Sequence, residues 1–403
     1  MERDLRHILT IQALRAFLYG FGSVLLGSIL ATSGLSDAQV GLIFTSMLAG
    51  AALASLGVGR RGERVGRRRT YRFLLLVMGI AGAVFAFSTW MPLLLLAGLT
   101  GTLSTDPNES GPITSVEQAM LGGSNPALRN RVFGRYNAVA HLAGSVGALA
   151  AGGPAALRSV FPALPPDQRW FLVFPVVAVL CVLIARRLST AVESPDRDAT
   201  GIGRRPLTVS KPIVQKLAGL FALDSFAGGF IVQAFLAFWF QRTFGASTEL
   251  LGIVFFASGL LAAASSILAG WLANRVGMLN TMVFTHLPSH ILLMLIPFAP
   301  TLGLAIGLLL VRSSLSSMDV PARQAYINAL VEPHERTAAA AYTNTARFAS
   351  RPFGPFLAAA MMPLWPAGPF LVAGGLKVIY DLSVFAVFRK VPLREGGSAS
   401  PAA

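Results

Sequence analysis

The chain has 403 residues, 54% of them hydrophobic and only 13% charged, with a mean hydropathy of +0.63. A soluble chain of this length needs about a quarter of its residues charged to cover its surface, so the composition excludes most soluble classes and points to a chain solvated mainly by lipid. The 33 Lys and Arg against 18 Asp and Glu leave a formal charge of +15, which in a soluble protein would suggest nucleic acid, but no soluble stretch remains here to form such a module.

Crossing a hydrocarbon core about 30 Å thick takes about 20 apolar helical residues. Twelve spans are predicted in chain order: Ile8 to Thr32, Val40 to Val58, Tyr71 to Thr89, Pro92 to Leu121, Ala127 to Gly152, Trp170 to Leu188, Pro212 to Phe240, Thr248 to Leu272, Thr281 to Phe298, Gly303 to Leu330, Arg336 to Met362 and Pro366 to Phe388. The apolar run after Arg3 and Arg6 is too long for a signal peptide and is expected to stay as an uncleaved first helix. Cytoplasmic loops collect positive charge. With both termini inside, 24 of the 33 Lys and Arg fall in cytoplasmic segments and only Arg158, Arg169 and Arg242 in outer loops. The expected location is the cell inner (plasma) membrane, multi-pass, with both termini cytoplasmic. The lone cysteine, Cys181, lies in the sixth span, which excludes internal disulfides and cysteine-based metal sites.

Residues 194–211 are rich in Pro, Gly and charge and form the expected cytoplasmic linker between a six-helix bundle at 1–193 and a second at 212–390, with a flexible tail at 391–403. The halves repeat each other. Arg15, in Ala13-Leu14-Arg15-Ala16-Phe17, falls on Asp224, in Ala222-Leu223-Asp224-Ser225-Phe226, at an offset of 209. Arg64-Val65-Gly66 falls on Arg275-Val276-Gly277 at an offset of 211, and Gln118, Pro126, Arg129 and Asn137 fall on Gln324, Pro333, Arg336 and Asn344 at 206 to 207. Parallel six-helix repeats describe one known transporter architecture.

The loop after the second span reads Gly59-Arg60-Arg61-Gly62-Glu63-Arg64-Val65-Gly66-Arg67-Arg68-Arg69, with a degenerate copy at Gly270 to Gly277. It resembles the signature loop of the major facilitator superfamily, G-x-x-x-D-R-x-G-R-R, with Glu63 in place of the aspartate. The resemblance covers the whole chain and implies an all-α polytopic membrane protein of twelve transmembrane helices in two pseudo-symmetric bundles. It also implies a conformational latch built from Gly59, Glu63, Arg64, Gly66, Arg67 and Glu117. In that latch Glu63 meets the helix start near Glu335 to Thr337, and Arg67 pairs with Glu117. Asp319-Val320-Pro321-Ala322-Arg323-Gln324-Ala325, then Ala346-Arg347 and Gly354-Pro355, resemble a pattern of bacterial exporters in this superfamily, although there it occupies the other half. Gly144, Gly147, Gly152, Gly153 and Pro154 echo its drug-antiporter motif in part.

A charge near the bilayer centre costs about 2.5 to 3.5 kcal/mol even on a lenient scale, so each one is a candidate functional group. Six cations, Arg15, Arg312, Arg323, Arg347, Arg351 and Lys377, face six anions, Asp106, Glu109, Glu117, Asp224, Asp319 and Asp381. Internal pairing accounts for that balance, and so does a ligand site. The cavity candidates are Arg15, Asp106, Glu109, Arg312, Arg347 and Arg351, and those for proton coupling are Glu109, Asp224, Asp319 and His141. Pro107, Gly111 and Pro112 predict a broken fourth helix beside Glu109. Arg347 and Arg351, four apart on one face, either clamp a carboxylate or phosphate or form salt bridges between the halves with Asp106 and Glu109. His141 is either a proton shuttle or structural. Pro288 and His290 in the ninth span are expected to be peripheral.

No Walker loop is present, nor an HExxH or a Gly-x-Ser-x-Gly. The expectation is a secondary active transporter and not an enzyme, without cofactor or resident metal, working as a monomer in the lipid bilayer. Its partners are protons and a small organic substrate, anionic or amphiphilic, carried in proton-coupled efflux. Uptake or exchange of an organic anion is the alternative, and a membrane-embedded enzyme or lipid scramblase the remote one.

Overall fold

The computed structural model describes residues 2–107, 111–122, 126–193, 208–332 and 335–391. Glu109, the linker from 194 to 207 and the tail from 392 lie outside the described residues. Among the described residues the regular structure is helical. The first half comprises α1 (Glu2–Thr32), α2 (Asp37–Val65), α3 (Arg67–Phe87), α4 (Met91–Leu99), α5 (Pro112–Gly122), α6 (Pro126–Ala150), α7 (Gly153–Val160) and α8 (Val173–Ala185). The second comprises α9 (Lys211–Gly229), α10 (Gln233–Phe244), α11 (Thr248–Val276), α12 (Met278–Leu295), α13 (Leu302–Ser316), α14 (Asp319–Leu330), α15 (Arg336–Ser350), α16 (Phe353–Met361) and α17 (Gly368–Phe388).

Among the described residues, eight stretches are long and apolar enough to cross a membrane, one of them α9 and α10 taken together. Of the other four expected spans, the fifth is the single helix α6, while the fourth, tenth and eleventh each consist of two consecutive helices, α4 with α5, α13 with α14 and α15 with α16.

The repeat seen in the sequence is also a repeat of caps and turns. Ser36 caps α2 by accepting from Gln39 N at 3.3 Å, and Gln39 Oε1 accepts in return from Ser36 N at 2.9 Å. Ser247, at the matching position, caps α11 by accepting from Leu250 N at 3.3 Å. Gly66 turns the chain from α2 into α3 at φ +95°, and Gly277 turns it from α11 into α12 at φ +90°. A side chain is strained at such angles, which explains the glycine at this point of both loop motifs.

Within each half one helix pair packs backbone to backbone. A Cβ on Gly20 would collide with the Gly144 carbonyl, and one on Gly229 with that of Arg351. Of the echoed motif glycines, Gly147, whose Cβ would strike the Phe17 carbonyl, lets α6 approach α1 together with Gly20, while Gly144 makes room for Pro107. Between the halves, α1 packs on α10, α6 on α11 and α2 on α16. These contacts lie toward the face opposite the termini. There Gly27 abuts Ala234 and Ala237, Gly41 abuts Ala359, and Thr248 Oγ1 donates to Ser28 Oγ at 2.9 Å. A plug of Phe235, Phe238, Trp239 and Phe240, with Trp239 set 4.6 Å from Phe370, closes that face. Gly27→Leu or Gly41→Leu is expected to prevent this closure. Labelling of a single cysteine placed in the cavity, on a Cys181→Ser background, should then shift to the far face by at least about tenfold, in line with a bias of about 1.4 kcal/mol; unchanged labelling would contradict the close-packing account.

Candidate functional site

A cavity of about 370 Å³ lies between the halves, with Asp106, His141, Gln233, Arg312, Arg351 and Lys377 on its wall. Four divided spans contribute their breaks to this level: α4 to α5 at Asp106, α9 to α10 before Gln233, α13 to α14 at Ser317 and α15 to α16 at Arg351. Breaks inside apolar spans are tolerated where the freed backbone groups find partners or water. Here they find each other across the halves. Ala234 N donates to Thr105 O at 3.0 Å, and Gln233 N to Asp106 Oδ1 at 2.7 Å. Arg351 Nη2 forms an ion pair with Asp106 Oδ2, and Gln233 Nε2 reaches Ser23 Oγ at 2.9 Å. Of its two alternatives, Arg351 thus takes the salt bridge between the halves.

Most of the remaining membrane-depth charges form two buried networks. In the first half Arg15 Nη2 meets Glu117 Oε2 at 2.6 Å, and the Tyr71 and Tyr136 hydroxyls donate to the same carboxylate at 2.7 and 2.5 Å. Arg15 is sealed at 2% exposure and absent from the cavity wall, which corrects its assignment there. The expected Arg67–Glu117 pair is also corrected. Glu117 turns inward to Arg15, whereas Arg67 Nη1 donates to the Ala119 and Val192 carbonyls at 2.9 and 3.3 Å and its backbone N to Glu193 Oε2 at 2.7 Å. The Glu63 side chain lies outside the described residues. Of the other latch candidates, Arg64 is exposed, Gly66 makes the turn, and Gly59 has open space beside it.

In the second half Lys377 Nζ meets Asp224 Oδ1 at 2.5 Å, and Arg323 Nη1 lies 3.4 Å from Asp224 Oδ2 and 3.1 Å from Asp319 Oδ2. His286 continues the chain, with Nε2 at 4.0 Å from Asp319 and Nδ1 at 3.0 Å from Asp381 Oδ1, and His290 Nε2 stands 3.4 Å from Asp381 Oδ2. The two networks are related by the repeat with their signs reversed. Arg15 pairs with Glu117 where Asp224 pairs with Arg323, at sequence offsets of 209 and 206. Asp224 and Asp319 are enclosed in this network and reach the cavity through Lys377, while His141 lies directly on its wall.

The ninth span is not peripheral. His286 and His290, one helical turn apart on α12, are both buried at the centre of the second network; their i, i+4 spacing is the signal in the sequence. With Asp381 they place one ligating atom each within 4.8 Å of one another. Two imidazoles and a carboxylate suit a first-row metal ion, but the Lys377 and Arg323 cations of the same network oppose a dication, and protons are the better match.

Arg312 and Arg347 stand apart. Among the described residues neither guanidinium makes a hydrogen bond or an ion pair, and the Nε of each is buried without a partner. Arg312 is on the cavity wall; Arg347 lies beside Arg323, Asp224 and Asp319.

On the terminal face, Glu335 Oε1 accepts from Thr208 N at 2.6 Å, Thr208 Oγ1 at 2.9 Å and Val209 N at 3.1 Å, and Oε2 from Ser210 N at 2.9 Å. The carboxylate caps the segment 208–210 that leads into α9 and makes no side-chain cap on its own helix, α15. The Ser210 side chain and the Thr208 and Ser210 amides hold its carboxyl at about 2, below an ordinary 4.5. A depressed carboxyl stabilises above its unfolded pKa, and that contribution is lost as pH falls through the folded value. Between about pH 4.5 and pH 2 the wild type should therefore lose thermal stability relative to Glu335→Gln, and parallel melting curves over that window would contradict the cap.

The sequence profile of the Major Facilitator Superfamily matches residues 8–287 and 217–403. A protein described as an uncharacterized membrane protein of Saccharomyces cerevisiae is 25% identical over 424 aligned residues, covering 96% of this chain and 94% of that protein. Among solved structures, the nucleoside transporter NupG superposes with a TM-score of 0.71 at 15% identity, covering 96% of this chain and all of that one. A bacterial homolog of the human lysosomal transporter Spinster, inward-facing and occupied, gives 0.71 at 18% over 95% and 92% of the two chains. A D-xylose-proton symporter gives 0.69 at 15% over 98% and 99%. At these identities the structures speak for the fold.

Proposed function

The chain belongs to the major facilitator superfamily, the fold of a secondary transporter, and on that premise we propose that it exports a small organic anion in exchange for protons. The observation that carries this is the Arg312 guanidinium, unpaired on the wall of a cavity between the halves. The guanidinium is partly enclosed, and the nearby carboxylate of Asp106 is already committed to Arg351, so a carboxylate or phosphate on the substrate supplies the missing partner with a two-point hydrogen bond. A cavity of about 370 Å³ suits a compact metabolite.

The terminal face carries the basic excess and is read as cytoplasmic by the positive-inside rule; with the opposite face closed, the state is the inward-facing one that uptake and export share, so export is favoured by energetics. An anion leaving an inside-negative compartment runs with the membrane potential, at about 2.3 kcal/mol per charge per 100 mV. The proton acceptors are sought in the chain from Asp224 through Asp319 and His286 to Asp381, with His141 as the group on the cavity wall and Glu109 as the remaining candidate by sequence. Inverted membrane vesicles should accumulate the anion, and a protonophore should collapse the accumulation; accumulation that survives it would remove proton coupling, and accumulation only in right-side-out vesicles would reverse the direction.

A further inference from the structure

A second concavity, of about 300 Å³, lies at the terminal ends of α2 and α3, walled by Arg64, Val65, Arg68, Arg69, Arg72 and Glu193. Its one acid is engaged. Glu193 Oε2 accepts from Arg67 N at 2.7 Å and Oε1 from Arg68 N at 3.3 Å, so the carboxylate ties down the start of α3. Four guanidiniums share the remaining wall. Arg72 is held by its Nε bond to Arg68 O at 3.1 Å, while Arg68 Nε is buried without a partner. Clustered guanidinium forks fit the oxygens of a phosphate.

The position of the cradle says where that phosphate comes from. Arg69 and Arg72 lie on the same face of α3 as Phe73, Leu76 and Ile80, by the three- and four-residue spacing of a helix. Those three apolar side chains are 64%, 46% and 64% exposed. An exposed apolar stripe on a membrane span faces acyl chains, and here it runs straight into the arginine cradle at its terminal end. A phosphate over an apolar stripe is the outline of a phospholipid at the leaflet boundary. A cluster of this many arginines selects a lipid of net negative charge over a zwitterionic one.

We propose that the α2–α3 turn, with Arg64, Arg68, Arg69 and Arg72, is a binding site for the headgroup phosphate of an anionic phospholipid, its chains lying along Phe73, Leu76 and Ile80. The site is separate from the cavity and independent of what the cavity carries. Lipid there bridges α2 and α3 at the turn made by Gly66, where the superfamily signature sits.

The test uses the full-length protein in a neutral detergent, with phosphatidylglycerol, phosphatidylcholine or inorganic phosphate added. Phosphatidylglycerol should raise the thermal midpoint by several degrees and stay bound as an adduct in native mass spectrometry, whereas phosphatidylcholine should do neither. The Arg69→Gln/Arg72→Gln variant should lose both effects while keeping the wild-type midpoint in phosphatidylcholine. Arg186→Gln/Arg187→Gln, which removes the same charge elsewhere on that face, should keep them. Equal protection by the two lipids, or an undiminished phosphatidylglycerol effect in Arg69→Gln/Arg72→Gln, would overturn the proposal. Full protection by inorganic phosphate alone would overturn the lipid as its source.

Discussion

Arg312→Gln is expected to lower anion transport by at least about 100-fold and to leave protein folding intact. A charge-assisted hydrogen bond contributes about 1.5–3 kcal/mol, so removing both bonds of a guanidinium–anion pair in a low-dielectric cavity costs about 3–6 kcal/mol, or about two to four decades in affinity. The fold should tolerate the change because the Arg312 guanidinium supports no other group among the described residues: no hydrogen bond or ion pair to it breaks. Arg312→Lys keeps the charge and removes the planar fork, and should fall between the two. Transport assayed in proteoliposomes alongside a melting curve checks both halves of the expectation. Wild-type transport in Arg312→Gln would remove this residue from the substrate site.

Glu117→Gln should have the opposite profile, a large loss of stability arising away from the cavity. Glu117 is fully buried and holds Arg15, Tyr71 and Tyr136 together. Removing one partner of a buried ion pair costs about 3–5 kcal/mol because the other charge is left uncompensated, whereas removing both is often near neutral. Glu117→Gln should therefore lower the thermal midpoint steeply, and Arg15→Met/Glu117→Leu should recover most of it. A double variant no better than the single would mean that the network matters for shape rather than for charge. Asp224→Asn, at the sign-reversed position of the second half, leaves both Lys377 and Arg323 short of a partner and should be at least as severe.

Much of the fold is legible because lipid imposes length. Apolar runs of about 20 residues, divided by basic loops, mark spans that coincide closely with the helices, and the loop motif with its mate marks the repeat. The broken fourth helix follows from Pro107 and Pro112. The break before Gln233 contains no proline and leaves no such mark; it accompanies hydrogen bonds from the other half, Ala234 N to Thr105 O and Gln233 N to Asp106, which no local pattern encodes. The breaks at Ser317 and Arg351 likewise lie where the halves face the cavity.

The charges are legible as a set and not as pairs. The neutral balance at membrane depth does reflect internal pairing, but which partner Glu117 takes depends on the fold bringing α5 within reach of the Arg15 and Tyr136 side chains, a long-range fact. One signal is available: Arg15 and Glu117 fall, at nearly the same offset, on Asp224 and Arg323, and a charge reversal at both positions marks an ion pair in each half. The His286–His290 pair lies on one helical face, but the ninth span's place on the outside of the architecture hides its importance. Burial of both rings against Asp381 shows that a span on the outside of a bundle still turns one face inward.

The cavity is expected to hold an organic anion on Arg312. The most direct measurement is a thermal-shift screen of the purified wild type and Arg312→Gln against small organic anions, cations and neutral amphiphiles of matched size. Stabilisation of the wild type by anions alone, absent in Arg312→Gln, is the predicted result. Stabilisation by cations or neutral compounds, equal in the two proteins, would contradict it.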